Sequence, residues 1–376
     1  MRNSDPLSVA VLSIDSAFEV LRNDWQAPDP AGAGDPTLSV EWLQVWWRNF
    51  GKPGTDRILA LVSTEDRILG LLFTRIETEY YHRLPVKTVR CWVNSHAQRA
   101  SLFLRCDANA AAKAFADHWA RSGRQWDLLR LQGLPDGEFG HALLYHANLV
   151  GCRCDVVREW GHSWLDIDRP WEEYWRDIMS SETRRTIDRQ GRRLARLGTI
   201  TSVIHQTAQG VEDGFGDLMK IETESWKRSA GEIVASHPVV ASFYSDISKT
   251  FAGIGKAGVA VLYLDRAPIC AAILLITDCR ILILKSSYTE QLAKHSPGTQ
   301  LFKQVLAHAF SKGFKEVDFY GKMAFTQRWT KDEQRFIDLE ICGRTIRSRA
   351  IILARTAKHW WAARSRKRQQ ENSRLV

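Results

Sequence analysis

Four side chains in the second half of the sequence can exchange protons with a substrate: Asp318, Glu222, Tyr288 and Tyr320. A carboxylate can take a proton from an attacking amine or hydroxyl group, and a phenol can give one to a departing group. Asp318 lies between two apolar residues of a predicted strand, so its side chain is expected on the opposite face from theirs. Asp318 is therefore the first candidate for a general base or for a group that orients an acceptor, and Glu222 is the alternative base.

Each of these residues also has a structural interpretation. Asp318 could bond Arg328 or loop amides at the end of its strand, and Glu222 could form an ion pair on a helix surface. Tyr288 and Tyr320 could protonate a departing group or stack on neighbouring side chains. The residues alone leave these alternatives open.

A loop that opens into a helix is the candidate site for an anion. The loop Ser296-Pro297-Gly298 precedes a helix predicted over Thr299–Ser311. The N-terminus of a helix binds anions because its first amides have no partner within the helix. Here those amides belong to four consecutive residues: Gly298, Thr299, Gln300 and Leu301. Lys285, in an otherwise apolar strand, either lines the same cleft and contacts phosphate or marks an edge strand that faces water.

A second group of cations lies on the helix predicted over Ser181–Leu197. Its arginines recur at steps of four, three and four residues and so share one face: Arg185, Arg189, Arg192 and Arg196. Stacked guanidinium groups repel one another, and the only acids among them are Glu182 and Asp188. This face is either solvated or a site for a polyanionic substrate. Three further residues are candidates for substrate contact: Trp226, Lys322 and Arg328.

The elements that must position these residues follow one order in the second half. Three apolar runs predict a strand meander: Val259–Asp265, Ile269–Thr277 and Arg280–Tyr288. The loop, its helix and a strand over Glu316–Tyr320 come next. The other elements predicted here are strands over Cys152–Trp160, Ser163–Asp168 and Phe336–Ile341, and helices over Trp171–Met179, Gly216–Arg228 and Val239–Phe251.

The first half repeats the order of helix, hairpin, strand, helix and strand after a leading segment, residues 1–35. The predicted elements are a helix from Ser39 to about Phe50, a hairpin of Arg57–Ser63 and Ile68–Arg75, and Val86–Val93, Ala108–Ser122 and Trp126–Leu131. A repeated order indicates an internal duplication even where few residues match. We therefore predict two domains of α/β class and α+β type, 1–162 and 163–345, each a mixed sheet flanked by helices.

The C-terminal segment 346–376 is predicted to be a basic amphipathic helix. Ile346, Leu353 and Trp360 fall on one side, with Arg355 and Lys358 on the other, and the segment ends in a run rich in arginine. This helix is expected either to dock on the body of the protein or to contact an anionic membrane surface.

Composition narrows the class of protein. A chain of 376 residues with 44% hydrophobic and 25% charged residues is globular and long enough for two cores. The net charge of +9 favours anionic partners. The seven cysteines lack metal-binding spacing, which predicts reduced thiols and no metal site. No run approaches the roughly 20 apolar residues that span a bilayer, and no export signal stands at the N-terminus, so a cytoplasmic protein is expected.

Four features between Trp171 and Trp329 carry a resemblance to a known family. They are Ser181-Glu182-Thr183-Arg184-Arg185 opening the basic helix, Glu222 to Trp226, Tyr288 followed by Ser296-Pro297-Gly298, and Val317-Asp318-Phe319-Tyr320-Gly321 with a downstream Arg328-Trp329. Together they resemble the FemAB/CelD-like branch of the GNAT acyltransferase superfamily, whose tandem folds are associated with exopolysaccharide or cellulose biosynthesis. Members of this branch usually carry a lysine three residues before the tryptophan, where this sequence has Thr326, with Lys322 nearby.

The resemblance implies a tandem GNAT fold that binds acyl-CoA between the strand before the loop and the strand after the helix. The donor's pyrophosphate would lie on the helix N-terminus, and the expected donor-binding residues are Ser296, Gly298, Thr299, Gln300 and Lys285. An amine or hydroxyl group would attack the thioester directly, with Asp318 as base.

The implied acceptor is an anionic saccharide, nucleotide sugar or polysaccharide precursor, held by Arg185, Arg189, Arg192, Trp226, Lys322 and Arg328. Two alternatives stay open. One is a FemAB-type aminoacyl-tRNA-dependent transferase, which the basic helix and tail would suit. The other is a non-catalytic GNAT-fold scaffold in envelope polysaccharide biosynthesis, which Thr326 and the single loop glycine would suit.

Overall fold

The computed structural model describes residues 6–25, 34–81, 83–223 and 237–355. Its contacts divide the chain into two compact units, each assembled from separate segments. The first unit takes its residues from Met1–Glu19, Lys52–Trp160 and Phe336–Val376, and the second from Val20–Gly51 and Gly161–Arg335.

The first unit is built on a mixed sheet covered on one face by two helices. In spatial order its strands are β1 (Ser8–Leu12), β2 (Asp56–Val62), β3 (Ile68–Tyr81), β4 (Leu84–Cys91), β6 (Leu128–Pro135) and β13 (Glu333–Cys342), and β5 (Leu102–Leu104) pairs with β3. The helices α3 (Ala108–Ser122) and α4 (Glu138–Leu149) bury Phe115, Trp119 and Leu143 against this sheet.

The second unit is a sheet with helices on both faces. Its strands, in spatial order, are β7 (Cys154–Asp166), β12 (Glu316–Asp318), β11 (Arg280–Tyr288), β10 (Ala267–Ile276), β9 (Ala257–Leu264) and β8 (Ile200–His205). The helices α5 (Trp171–Asp177), α6 (Ser181–Ala195) and α9 (Pro297–Lys312) share one core with alternate strand residues such as Ile281 and Ile283. The intervening residues, such as Val261 and Ile273, are equally buried and face α7 (Ala208–Thr223), α8 (Pro238–Gly253) and α2 (Val40–Phe50).

Both units have the same topology. In the first, β2, β3 and β4 form an antiparallel meander, and β6 then pairs in parallel with β4 from Thr88↔Leu128 to Arg90↔Arg130. In the second, β9, β10 and β11 form the meander, and β12 pairs in parallel with β11 from Arg280↔Glu316 to Leu282↔Asp318. The predicted mixed α/β class and the internal duplication are therefore confirmed.

Each unit is completed by a segment from the other half of the sequence. β13 follows the second meander along the chain but pairs with β6 of the first unit. β7 follows the first meander, and its C-terminal part pairs with β12 of the second unit. The helix α2 also precedes the first meander in sequence but packs on α8 in the second unit. Linear domain boundaries do not describe this exchange.

Several sequence predictions differ from the structure. The leading segment contains β1 and a helix, α1 (Ile14–Asp24), which were both missed; β1 has five residues, none of them buried, and α1 buries Ala17, Phe18 and Leu21. The helices and strands α4, β5 and β8 were also missed, and the two strands predicted around Gly161 form the single strand β7. The helix predicted from Gly216 begins eight residues earlier, at Ala208, and the predicted end beyond residue 223 lies outside the described residues. The two-residue turn between β9 and β10 is Asp265-Arg266, both with positive φ.

The C-terminal helix, α10, is described over residues 346–355 and docks on the first unit. Ile351 is fully buried against Val86 and Leu128, and Arg355 forms an ion pair with Glu340. Because Ile351 packs inward, Ile346 and Leu353 of the predicted apolar face point to solvent. Trp360 and the basic run that follow lie outside the described residues. In the part of the chain that the structure covers, no helix has the length and apolarity needed to cross a membrane.

Candidate active site

The parallel strands β11 and β12 of the second unit separate and leave a gap. Their pairing ends at Leu282↔Asp318, but β11 continues for six further residues to Tyr288. A register shift opposite Ile273 and Leu274 places a bulge in β11 just after this point. The edge of β11 that faces β12 therefore offers backbone N–H and C=O groups to a bound molecule.

The helix α9 begins beside this gap with a strained residue. Ser296 has a φ of 51°, a left-handed conformation that non-glycine residues rarely adopt. Its carbonyl oxygen accepts hydrogen bonds from the amides of Thr299 (3.0 Å) and Gln300 (3.2 Å). Two of the predicted phosphate donors are therefore engaged, whereas the amide of Gly298 has no acceptor among the described residues. The side chain of Gln300 donates to the carbonyl oxygen of Ile187 at 3.0 Å.

Cationic side chains surround the first turn of α9. Arg328 donates to the hydroxyl of Thr299 at 3.4 Å. Arg184 lies on the face of α6 that carries Ile187 and Gly191, next to Gln300. The Nε of Arg184 and the Nδ1 of His295 are both buried without a hydrogen-bond partner in the described part of the chain. This turn is thus suited to an anion.

A buried polar cluster occupies the opposite face of the sheet. Glu222, in the last turn of α7, is fully buried, and its Oε1 lies 3.9 Å from the Nζ of Lys285, whose side chain is 16% exposed. The same Nζ lies 5.7 Å from the ring centroid of Tyr244 on α8. Burial raises the pKa of Tyr244 well above its usual range, and the neighbouring Tyr320 and Glu222 raise it further. Tyr244 therefore stays protonated and has a phenol hydrogen to donate in a hydrogen bond.

The chain makes a sharp turn after β12. Val317 and Phe319 pack in the core under α9, and Asp318 lies on the other face, as strand alternation predicts. The strand ends at Asp318, not at Tyr320, because Asp318 Oδ1 accepts the amide N–H of Tyr320 at 2.8 Å. Tyr320 has a φ of 46°, which costs about 1–2 kcal/mol for a residue with a Cβ.

Aromatic side chains hold Tyr320 in this conformation. Its ring lies 5.0 Å from His162 on β7 and 6.2 Å from Trp42 on α2, measured between centroids. His162 and Trp42 are both buried. Strained residues of this kind cluster at functional sites, which marks the turn as part of the site.

Residues 181–329 match the acetyltransferase (GNAT) domain family. The chain also resembles a tandem GNAT protein from the clavulanic acid biosynthesis pathway, with 15% identity, 90% of this chain and 99% of that chain covered, and a TM-score of 0.50. A second similar structure is FemX, with 12% identity, coverage of 89% and 96%, and a TM-score of 0.51. Residues 181–329 thus form a GNAT acetyltransferase domain, and the chain has a FemAB-like tandem GNAT fold. At these identities the two structures establish the fold, and no curated protein sequence matches the chain.

Thr326, which replaces the lysine usual in this GNAT branch, is a structural residue. Thr326 is 1% exposed, and its hydroxyl bonds Ser163 Oγ (2.8 Å), the amide of Met323 (3.0 Å) and the carbonyl oxygen of Met323 (2.9 Å). Lys322 forms an ion pair with Glu333 on the surface and does not take over this buried position.

The remaining predicted site residues are dispersed. Arg185, Arg189 and Arg192 are exposed on α6, and none forms an ion pair with another described residue. Tyr288 packs beside the first turn of α9, near Gly298. Lys285 lies with Glu222 on the α7 face and not at that turn, so β11 is not a water-facing edge at this point. Trp226 lies outside the described residues.

In the first unit, the chain itself fills the position that corresponds to the gap between β11 and β12 of the second unit. Residues 92–107 connect β4 to α3, and within them Ala100 donates its amide to the carbonyl oxygen of Gly133 on β6, at 2.9 Å. Gly133 has a φ of 72°, and a Cβ there would lie 2.1 Å from the carbonyl oxygen of Gln98. The segment around Ala100 thus covers the edge of β6 after its pairing with β4 ends at Arg130. Within the described residues, no group of His, Cys, Asp and Glu side chains is arranged to hold a metal ion.

Proposed function

We propose that the second unit transfers an acyl group from acyl-CoA to an amine or hydroxyl group of an anionic saccharide, nucleotide sugar or polysaccharide precursor. One observation carries this proposal. The gap between β11 and β12 has an anion-binding helix terminus on one face of the sheet and a buried cluster of proton-transfer groups on the other. A donor with a charged end and a reactive thioester end would span the sheet through this gap.

The donor's phosphate groups would contact the first turn of α9. The amide of Gly298, the guanidinium groups of Arg184 and Arg328 and the dipole of α9 favour negative charge there. The amide-bearing arm of the donor would pair with the free edge of β11 beyond Leu282. This route brings the thioester to the middle of β11, near Lys285 and Tyr320.

Glu222 is the base in this proposal, because Asp318 has a positioning task. The acceptor's nitrogen or oxygen attacks the thioester carbon, the C–S bond breaks, and Glu222 takes the acceptor's proton. Tyr320 gives a proton to the departing thiolate. One carboxylate oxygen of Asp318 bonds the amide of Tyr320, and this contact fixes the left-handed turn that orients the phenol.

Calorimetric titration of the full-length protein with acetyl-CoA and a longer acyl-CoA tests donor binding. We expect micromolar binding that Gly298→Pro abolishes, because proline removes the free amide. Arg184→Gln is expected to weaken binding about tenfold. Arg193→Gln, the matched control on the exposed side of the same helix, should bind as wild type. Equal affinities for the two arginine variants would place the phosphates elsewhere.

Thiol release in the presence of a panel of nucleotide sugars and amino sugars tests the chemistry. Glu222→Gln should lower kcat by about 10²–10⁴ with donor affinity unchanged. Asp318→Asn should retain turnover within about tenfold, because an amide oxygen can still accept the Tyr320 N–H, whereas Asp318→Ala should lose it. If Asp318→Asn abolishes turnover and Glu222→Gln does not, Asp318 is the base.

A second candidate is an aminoacyl-tRNA-dependent transferase of the FemAB kind. The exposed arginines of α6 favour it, since Arg185 to Arg196 extend along about 16 Å of helix without ion pairs among the described residues. Binding of tRNA that weakens steeply with salt and is lost in Arg185→Gln/Arg189→Gln/Arg192→Gln, together with no binding of acyl-CoA, would favour this function. A protein that binds neither donor would be a scaffold.

A further inference from the structure

The three most exposed large apolar side chains of the described residues belong to the first unit, and two of them lie on α10. Ile346, Tyr80 and Leu353 are 84%, 78% and 70% exposed. Ile346 and Leu353 stand seven residues apart and so share the outward face of α10. The surfaces of soluble proteins rarely carry neighbouring, exposed apolar side chains of this size. Such a group marks a site of contact with another surface.

Basic side chains surround these apolar residues. Lys87, Arg124 and Arg349 are exposed, and none forms an ion pair in the described part of the chain. Arg349 lies on the same face of α10 as Ile346 and Leu353. Lys87, Arg124 and Ile346 also line a cavity of 330 Å³. The nearby carboxylate of Glu340 is already paired with Arg130 and Arg355, so its charge does not oppose this basic surface.

The sheet topology explains why these residues meet. The parallel pairing of β4 with β6 begins at Thr88↔Leu128, and β13 ends beside it at Cys342↔Leu128. Lys87, the segment before β6 and the segment after β13 therefore lie at one end of this pairing. Tyr80, in the β3–β4 hairpin, faces away from α10, because the neighbouring Tyr81 contacts Arg355 of that helix.

The segment that follows the described part of α10 is also rich in basic and aromatic residues. Residues 356–376 contain six basic residues and one acidic residue, together with Trp360 and Trp361. Exposed aliphatic and aromatic side chains among cations are typical of surfaces that lie in the interface of an anionic bilayer. Binding of a nucleic acid would account for the cations but not for the exposed side chains of Ile346 and Leu353.

We infer that this end of the first unit, with Ile346 and Leu353 surrounded by Lys87, Arg124 and Arg349, binds the surface of a bilayer that contains anionic lipids. The apolar side chains enter the headgroup region while the cations contact lipid phosphates. This binding does not depend on the donor or acceptor of the second unit.

Flotation of the full-length protein with vesicles tests the inference. Wild-type protein should bind vesicles of phosphatidylcholine and phosphatidylglycerol in a two-to-one ratio and not vesicles of phosphatidylcholine alone. Each cation near an anionic surface changes partitioning about fivefold, so Lys87→Gln/Arg124→Gln/Arg349→Gln should reduce it about a hundredfold at low salt. Ile346→Ser/Leu353→Ser should reduce it at least about tenfold. Thermal unfolding of each variant verifies folding.

Two matched controls come from the second unit. Arg185→Gln/Arg189→Gln/Arg192→Gln removes the same charge, and Val239→Ser/Ile254→Ser removes side chains that are about half exposed. Both should bind vesicles within about threefold of wild type. The inference is overturned if wild-type protein ignores anionic vesicles, or if the controls lose binding as strongly as the test variants. It is also overturned if Ile346→Ser/Leu353→Ser abolishes a dimer in solution and leaves vesicle binding intact.

Discussion

Replacing Thr326 by valine should destabilise the protein by about 2–3 kcal/mol, although the side chains are similar in volume. The hydroxyl of Thr326 has three partners on two residues, at 2.8–3.0 Å, and the residue is 1% exposed. Valine leaves the amide of Met323 without its acceptor and Ser163 without its partner. An unsatisfied buried donor alone costs about 1–3 kcal/mol, and each lost hydrogen bond about 1 kcal/mol.

Urea unfolding of the full-length protein, followed by circular dichroism and tryptophan fluorescence, measures this loss. The midpoint should fall with the slope unchanged. Thr201→Val is the control, because Thr201 is exposed on β8, and it should change stability by less than about 0.5 kcal/mol. The double variant with Ser163→Ala should lose about 0.5–1.5 kcal/mol less than the sum of the single variants.

Thr326→Lys separates a structural from a catalytic interpretation of the position. Burying an ammonium group among the partners of Thr326 should cost more than about 3 kcal/mol, and turnover should not rise. The reasoning is refuted if Thr326→Val is neutral, or if Thr326→Lys folds with wild-type stability and turns over faster. Either result would mean that the loop tolerates the lysine of the related proteins.

Two further predictions concern the first unit. Gly133→Ala should lower the free energy of unfolding by at least about 3 kcal/mol, because a left-handed alanine costs about 1 kcal/mol and its Cβ would meet a backbone oxygen at 2.1 Å. The control is Gly54→Ala, which has a φ of 86° and no neighbour within 4 Å and should cost only about 1 kcal/mol. Equal losses of stability in the two variants would contradict this account. Burial acts to raise the pKa of Glu77, but the hydrogen bond and charge of Lys52 and the charge of Arg90 outweigh it and hold the pKa below its ordinary value. Glu77 thus stabilises the fold above the pKa of an unfolded glutamate and loses this effect as pH falls through its lowered pKa. Glu77→Gln should therefore cost at most about 1 kcal/mol at pH 7 and nothing once the pH lies below that lowered pKa, as thermal unfolding across pH would reveal.

The sequence predicted the parts of the fold that repeat a simple pattern. The meander of β9, β10 and β11 is a set of apolar runs, and α9 carries an apolar face with Gly313 after its end. Their order implies the gap and the helix terminus beside it. The strand was predicted to run to Tyr320 because alternation continues, but the hydrogen bond from Asp318 ends it two residues earlier. No glycine marks that left-handed turn in the sequence.

The polar cluster could not be assembled from the sequence. Glu222 and Lys285 were noted separately, and only the packing of α7 and α8 on the sheet brings them to Tyr244. His162 and Trp42 belong to segments distant along the chain, and nothing local indicates that they pack on Tyr320. Likewise, a closing strand after Phe336 was predicted, but no residue pattern states that its partner is β6.

The exchange of segments between the halves of the chain governs when the protein can fold during synthesis. The first unit lacks β13 until Phe336–Cys342 has left the ribosome, although most of its residues emerge much earlier. Domains ordinarily fold one after another as the nascent chain lengthens. Here an incomplete sheet, with the edge of β6 uncovered, must persist until the whole second meander and β13 are made. A gene divided after Trp160 would accordingly yield two fragments that each need the other to fold.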